Sequence, residues 1–113
     1  MTVSNTVLRA AIKESEKSTG KFKHSSVLYK GRNKVLVAAH NVMRTEPNFG
    51  SGEYQQLHSE GAAIKKAVKL GLNLKGMKMY NYRKGKEGAL LSKPCPCCEQ
   101  LLEVYGIEVT YSE

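Results

Sequence analysis

The chain has 113 residues, 41% of them hydrophobic, enough for one domain (1–113) with a real core. Eighteen Lys and Arg against ten Asp and Glu leave a formal charge of +8, which attracts phosphate on a free nucleotide or along a nucleic-acid backbone. No apolar run approaches the roughly 20 residues of a membrane span, no basic-then-apolar leader opens the chain, and Cys95, Cys97 and Cys98 lie too close together to staple a fold by disulfides. Three clustered cysteines point instead to metal binding in a reducing, cytoplasmic setting.

Residues 3 to 18 read as a first helix. Val3, Val7, Leu8, Ala11 and Ile12 mark its apolar side, and Lys13, Glu14, Glu16 and Lys17 its polar side. Two strands follow, Ser26 to Lys30 and Lys34 to Ala39, joined by the hairpin residues Gly31-Arg32-Asn33. His24, just before the first strand, reads as a surface or loop residue. Residues 41 to 57, with Pro47, Asn48, Gly50 and Gly52, have no period and read as a long functional loop leading into His58. From His58 a helix presents Ala62, Ala63, Ile64, Ala67, Val68 and Leu70 as an apolar face and stops at Gly71. Met77 to Tyr82 is the third strand, Arg83 to Gly88 a basic turn, and Ala89-Leu90-Leu91 a short apolar run. A third helix starts near Pro96 and stops at Gly106, and Ile107 to Tyr111 is the last strand. The order α-β-β-α-β-α-β implies an α/β fold: a mixed sheet of about four strands with an antiparallel opening hairpin and parallel pairing in the second half.

Chemistry gathers at two helix starts. One carries His58-Ser59-Glu60, the other Pro94-Cys95-Pro96-Cys97-Cys98. The spacing of Cys95 and Cys98 puts both sulfurs on one side of a first helical turn, where one ion can be gripped. The positive end of the helix favours thiolates there. Two thiolates and the imidazole of His58 suit Zn²⁺ better than Mg²⁺ or Ca²⁺, and three protein ligands leave the fourth position open for a reacting water. A pairing of Cys95 with Cys97 is the alternative set. Glu60, two residues from His58, is placed as a proton shuttle, since zinc can lower the pKa of a bound water to about 7. H-x-E together with P-C-x-x-C is the pattern of zinc deaminases that replace the exocyclic amine of cytosine or adenine.

The same residues carry a family resemblance. Ser92 to Leu102, with Gly106-Ile107 and Tyr111-Ser112, is similar to the second motif of the cytidine and deoxycytidylate deaminase superfamily. His58-Ser59-Glu60 with Ala63-Ile64 and Ala67 resembles its first. The closest likeness is to the small deoxycytidylate-type deaminases of phages and other viruses. The resemblance implies α/β/α layers, zinc on His58, Cys95 and Cys98, and proton transfer by Glu60. It implies that Ser59 and the Pro94–Cys95 backbone line the base pocket, and that the N–H of Cys95 faces developing charge. It also implies that Asn41 contacts the sugar or base, a turn asparagine being the alternative. For a viral protein the compartment would be the host cytoplasm. The motif departs from the commoner His-Ala-Glu, serine being small as well. The chain reads as ending without the fifth strand and terminal helices of many relatives, which leaves Ile107 to Tyr111 as an edge and leads to the expectation of a homo-oligomer.

Three functions compete. The first is hydrolytic deamination of a cytosine nucleotide or nucleoside, dCMP to dUMP foremost, with Arg44, Lys84 or Lys93 near the phosphate. The second is deamination of cytosine or adenine in single-stranded DNA or RNA. The basic charge favours it and six tyrosines could stack bases, although the chain has no Trp and two Phe. The third is a zinc-stabilised binding module without catalysis. It requires a fourth protein ligand, for which His24, His40 and Cys97 are the candidates.

Overall fold

The computed structural model describes residues 3–18, 23–41, 59–85, 88–90 and 96–112; the side chains of 88–90 and 96–98 lie outside that description. The elements are α1 (Asn5–Ser15), β1 (Lys23–Lys30), β2 (Lys34–His40), α2 (Ser59–Lys69), β3 (Lys78–Gly85), β4 (Gly88–Leu90), α3 (Pro96–Val104) and β5 (Glu108–Tyr111). Three helices and four of the strands are those expected from the sequence. β4 is added where a turn and a short apolar run were read: β3 continues past Tyr82 and pairs Arg83 with Leu90 and Lys84 with Ala89. The long loop expected at 41–57 lies outside the described residues beyond Asn41.

Local chemistry sets the helix ends. Ser4 is extended and its Oγ accepts the Val7 N–H at 3.3 Å, so α1 begins two residues later than the apolar spacing alone indicates. Gly71 at φ 73° and Gly106 at φ 68° end α2 and α3 in the same way. Leu72 N–H donates to the Ala67 carbonyl and Gly71 N–H to Val68, while Ile107 N–H donates to Leu102 and Gly106 N–H to Glu103. These paired bonds satisfy the last helical carbonyls and need a left-handed residue at the glycine position.

The sheet runs β2-β1-β3, with β5 parallel to β3 over Lys78–Asn81 and β4 antiparallel to its last residues. β1 is antiparallel to both β2 and β3, so β2, β3 and β5 all point the same way. A bulge between Leu28 and Tyr29 leaves Leu36 without a register partner on β1. One face of the sheet is covered by α1, where Val7, Ala11, Val27, Tyr29, Tyr80 and Tyr82 form a core. The other is covered by α2 and α3, where Leu28, Val37, Ala39, Ile64, Met79 and Leu102 are among the core residues. Burial on both faces is why Ser25 to Tyr29 of the central strand are all buried and why strand alternation is weak in the sequence.

Three sequence expectations change at this level. Glu14, placed on the polar side of α1, is buried. Val68 and Leu70, counted in the apolar face of α2, are 51% and 66% exposed, because the last turn of the helix passes the edge of the core. His24 lies within β1 and is half-buried, its N–H bonded to Asn41.

Candidate active site

α2 and α3 end side by side near the start of β3. Gly76 N–H donates to the Gly106 carbonyl there, and Gly71–Lys75 and Glu103–Gly106 line one groove. Both helices therefore run against β2, β3 and β5 and begin toward the carboxyl ends of those strands. In open α/β sheets that end is where ligands bind. The sequence motifs fall there: Ser59 and Glu60 open α2, Cys95 directly precedes α3, and Cys98 belongs to its first turn. His58, Pro94 and Cys95 lie outside the described residues, as do the side chains of Cys97 and Cys98.

Glu60 is only 8% exposed, although it is a carboxylate in a first helical turn. The unpaired N–H groups of the helix start favour negative charge at that position. Its two oxygens are held separately. Ser59 Oγ donates to Oε1 at 3.2 Å, and Asn81 Nδ2 on β3 donates to Oε2 at 3.4 Å. Behind them Ser26 on β1 donates to Asn81 Oδ1 at 2.7 Å and lies 2.9 Å from Ser59 Oγ. Ser26, Ser59 and Asn81 are each at most 3% exposed, so a polar cradle replaces hydrocarbon under Glu60. Burial of four polar side chains is tolerable because they satisfy one another.

Asn41 follows β2 at the same end and is 8% exposed. Its Oδ1 accepts from Ser18 Oγ at 2.7 Å and from the His24 N–H at 3.0 Å, and its own N–H donates to the His24 carbonyl at 3.2 Å. The oxygen of the side chain is thus committed to the fold, tying the end of β2 to β1 and to the segment after α1. Next to it, His40 Nδ1 meets Glu14 Oε2 at 2.7 Å. Glu14 also pairs with Lys17 at 3.2 Å and with Lys66 of α2 at 4.0 Å. Burial pushes the Glu14 carboxyl up, but hydrogen bonds from His40 and Lys17 and the charges of Lys66 and Lys17 outweigh it, so it sits below its usual range. The cluster joins α1, β2 and α2. Lys84, a candidate phosphate contact, is on exposed β3 surface 3.6 Å from Glu16; Arg44 and Lys93 lie outside the described residues.

Sequence reasoning missed Ser26, Asn81 and the burial of Glu14. The available signal was a polar residue on one face of each of two otherwise apolar strands, Ser26 before Leu28 and Asn81 after Met79.

Residues 1–112 match the family described as the cytidine and deoxycytidylate deaminase zinc-binding region. The chain belongs to that family. Among solved structures it is similar to the dCMP deaminase of the cyanophage S-TIM5. The apo form matches with a TM-score of 0.70 and 22% identity, over 93% of this chain and 78% of that one. The form in complex with dCMP and dUMP matches with a TM-score of 0.64 and 20% identity, over 97% and 83%. No curated protein matches the chain. At these identities the structures attest the fold, the α/β/α arrangement expected from the sequence. Among the described residues no helix is long and apolar enough to cross a membrane.

The donor chemistry fits the zinc implied by the family. Two cysteines at the start of one helix and a histidine directly before another supply soft and borderline ligands, and the buried carboxylate of Glu60 follows that histidine by two residues.

Proposed function

We propose that the chain deaminates a cytosine nucleotide or nucleoside by hydrolysis, with dCMP to dUMP as the leading reaction. The observation that carries this reading is the burial of Glu60 at the start of α2, held at both oxygens, at the carboxyl end of the parallel strands. His58, Cys95 and Cys98 would hold the zinc ion. When bound, the ion supplies a water that is nucleophilic at neutral pH. In the reaction a C4–O bond forms, the C4–N4 bond breaks, and ammonia leaves. Glu60 accepts the proton of the water, gives a proton to the ring nitrogen beside C4, and carries a proton to the departing amine. Ser59 and the Pro94 backbone would border the base. A contact from Asn41 to the substrate would be donated by its amide nitrogen, since the oxygen serves the fold. The cyanophage dCMP deaminase, crystallised with dCMP and dUMP, supports the choice of substrate.

A second reading, deamination of a base in single-stranded DNA or RNA, draws on the net charge of +8. A turnover screen separates the two. Zinc-loaded protein is given dCMP, CMP, deoxycytidine, cytidine, adenosine and a short single-stranded DNA, and ammonia is measured. Turnover of a cytosine mononucleotide is expected, with Glu60→Ala retaining zinc and losing at least about 100-fold in kcat. Activity confined to the strand would replace the proposed substrate, and an active Glu60→Ala would remove the proposed base.

A further inference from the structure

Ser26 and Asn81 lie directly opposite each other in the β1–β3 register, on the face that carries α2. Ser26 is fully buried and Asn81 is 1% exposed, so no solvent competes for their hydrogen bonds. An asparagine amide can present either its oxygen or its nitrogen to a neighbour. Here the carboxylate of Glu60, which only accepts, takes the nitrogen end, and the Ser26 hydroxyl anchors the other end by donating to Asn81 Oδ1 at 2.7 Å. With the oxygen so engaged, the Nδ2 group is turned toward Glu60 and reaches Oε2 at 3.4 Å. Ser59 adds a hydroxyl between Ser26 and Glu60 Oε1. A carboxylate in the first turn of a helix, unsupported, would have a free choice of rotamer. This one is held from the sheet, through two side chains that need not touch the substrate.

We propose that Ser26 and Asn81 are positioning residues for Glu60: Ser26 fixes the amide of Asn81, and the amide fixes the carboxylate that moves the protons. The proposal deepens the deaminase reading and rests on it for its kinetic consequence. Groups of this kind set the geometry in which a proton is transferred without adding to substrate affinity, and loss of a supporting hydrogen bond around a reacting centre typically costs about 10- to 100-fold.

The test is a double-mutant cycle on zinc-loaded protein with dCMP. Ser26→Ala and Asn81→Ala are each expected to lower kcat about tenfold or more with KM within about twofold and zinc content unchanged. The double variant should fall well short of the product of the two single losses, because Ser26 acts chiefly through Asn81 and otherwise through Ser59. Full kcat in a folded, zinc-replete single variant, or losses that multiply in the double variant, would overturn the proposal. A second measurement needs no turnover. The Asn81 side-chain amide protons should exchange slowly in the wild-type chain and markedly faster in Ser26→Ala. Exchange as fast as that of a surface asparagine in the wild-type chain, or no change in the variant, would overturn the proposal even in a chain that failed to act on dCMP. Silence of the wild-type chain on every cytosine substrate would instead remove the deaminase reading.

Discussion

A buried carboxylate is costly unless its surroundings supply charge and hydrogen-bond donors, and among the described residues this happens twice by different means. Glu60 is held by neutral groups, Ser59 and Asn81. Glu14 is held by His40, Lys17 and Lys66, which favour its charged form and make it a structural anchor. The sign of the Glu14 effect follows from its lowered pKa. Its contribution is full above the usual carboxylate value of 4.5 and is lost as pH falls through the lower folded value. Glu14→Gln keeps the shape and removes the charge, and should cost about 1–2 kcal/mol in urea unfolding at pH 7. The difference from the wild-type chain should shrink on acidification below that value. A difference that stayed constant down to pH 3 would show that packing, not charge, makes Glu14 matter.

Among the elements, α2 and α3 share one design. Each begins at the carboxyl end of the parallel strands with motif residues in or directly before its first turn, and each ends in a glycine followed by an apolar residue that turns back to the core, Leu72 and Ile107. The glycine matters through its backbone. A Cβ at Gly71 would meet nothing within 4 Å, yet φ of 73° is a left-handed conformation that side chains disfavour. Gly71→Ala should therefore cost about 1 kcal/mol, and Gly71→Asn less, since asparagine tolerates that region. Denaturant midpoints measure this, with the slope unchanged. Equal stability of all three chains would mean that the α2 terminus relaxes into another cap.

The molecule as a whole joins a strongly basic chain to a buried polar cluster around Glu60. Net charge of +8 attracts any polyanion, so binding to a single strand at low salt would not by itself identify a substrate. The nucleotide reading predicts that a long single-stranded DNA inhibits dCMP turnover at about 50 mM salt and has lost most of its effect by about 200 mM, with turnover itself persisting. Inhibition that survives the higher salt would favour the strand as the true substrate. At the alkaline end, burial raises the pKa of Tyr80, helped by Tyr82, and burial raises that of Tyr82, helped by Glu16. Their contribution to stability is present below the ordinary tyrosine range and declines as pH rises through the raised values.

Much of this was legible in the chain itself. H-x-E and P-C-x-x-C pointed to the deaminase family, which the match over residues 1–112 shows, and local rules placed the hairpin, the helix stops at Gly71 and Gly106 and the element order. Tertiary structure decided the rest. Ser26 and Asn81 are far apart in sequence, and nothing local says that one polar residue in each of two strands will meet under a carboxylate. Glu14 looks solvent-facing by helical spacing, and it is buried because His40 and Lys66 arrive from other elements to satisfy it. Val68 and Leu70 look like core until the helix runs past the sheet edge. Local sequence sets propensity and ligand chemistry; which polar groups are shielded from water, and by whom they are paired, depends on contacts between residues that only the folded chain brings together.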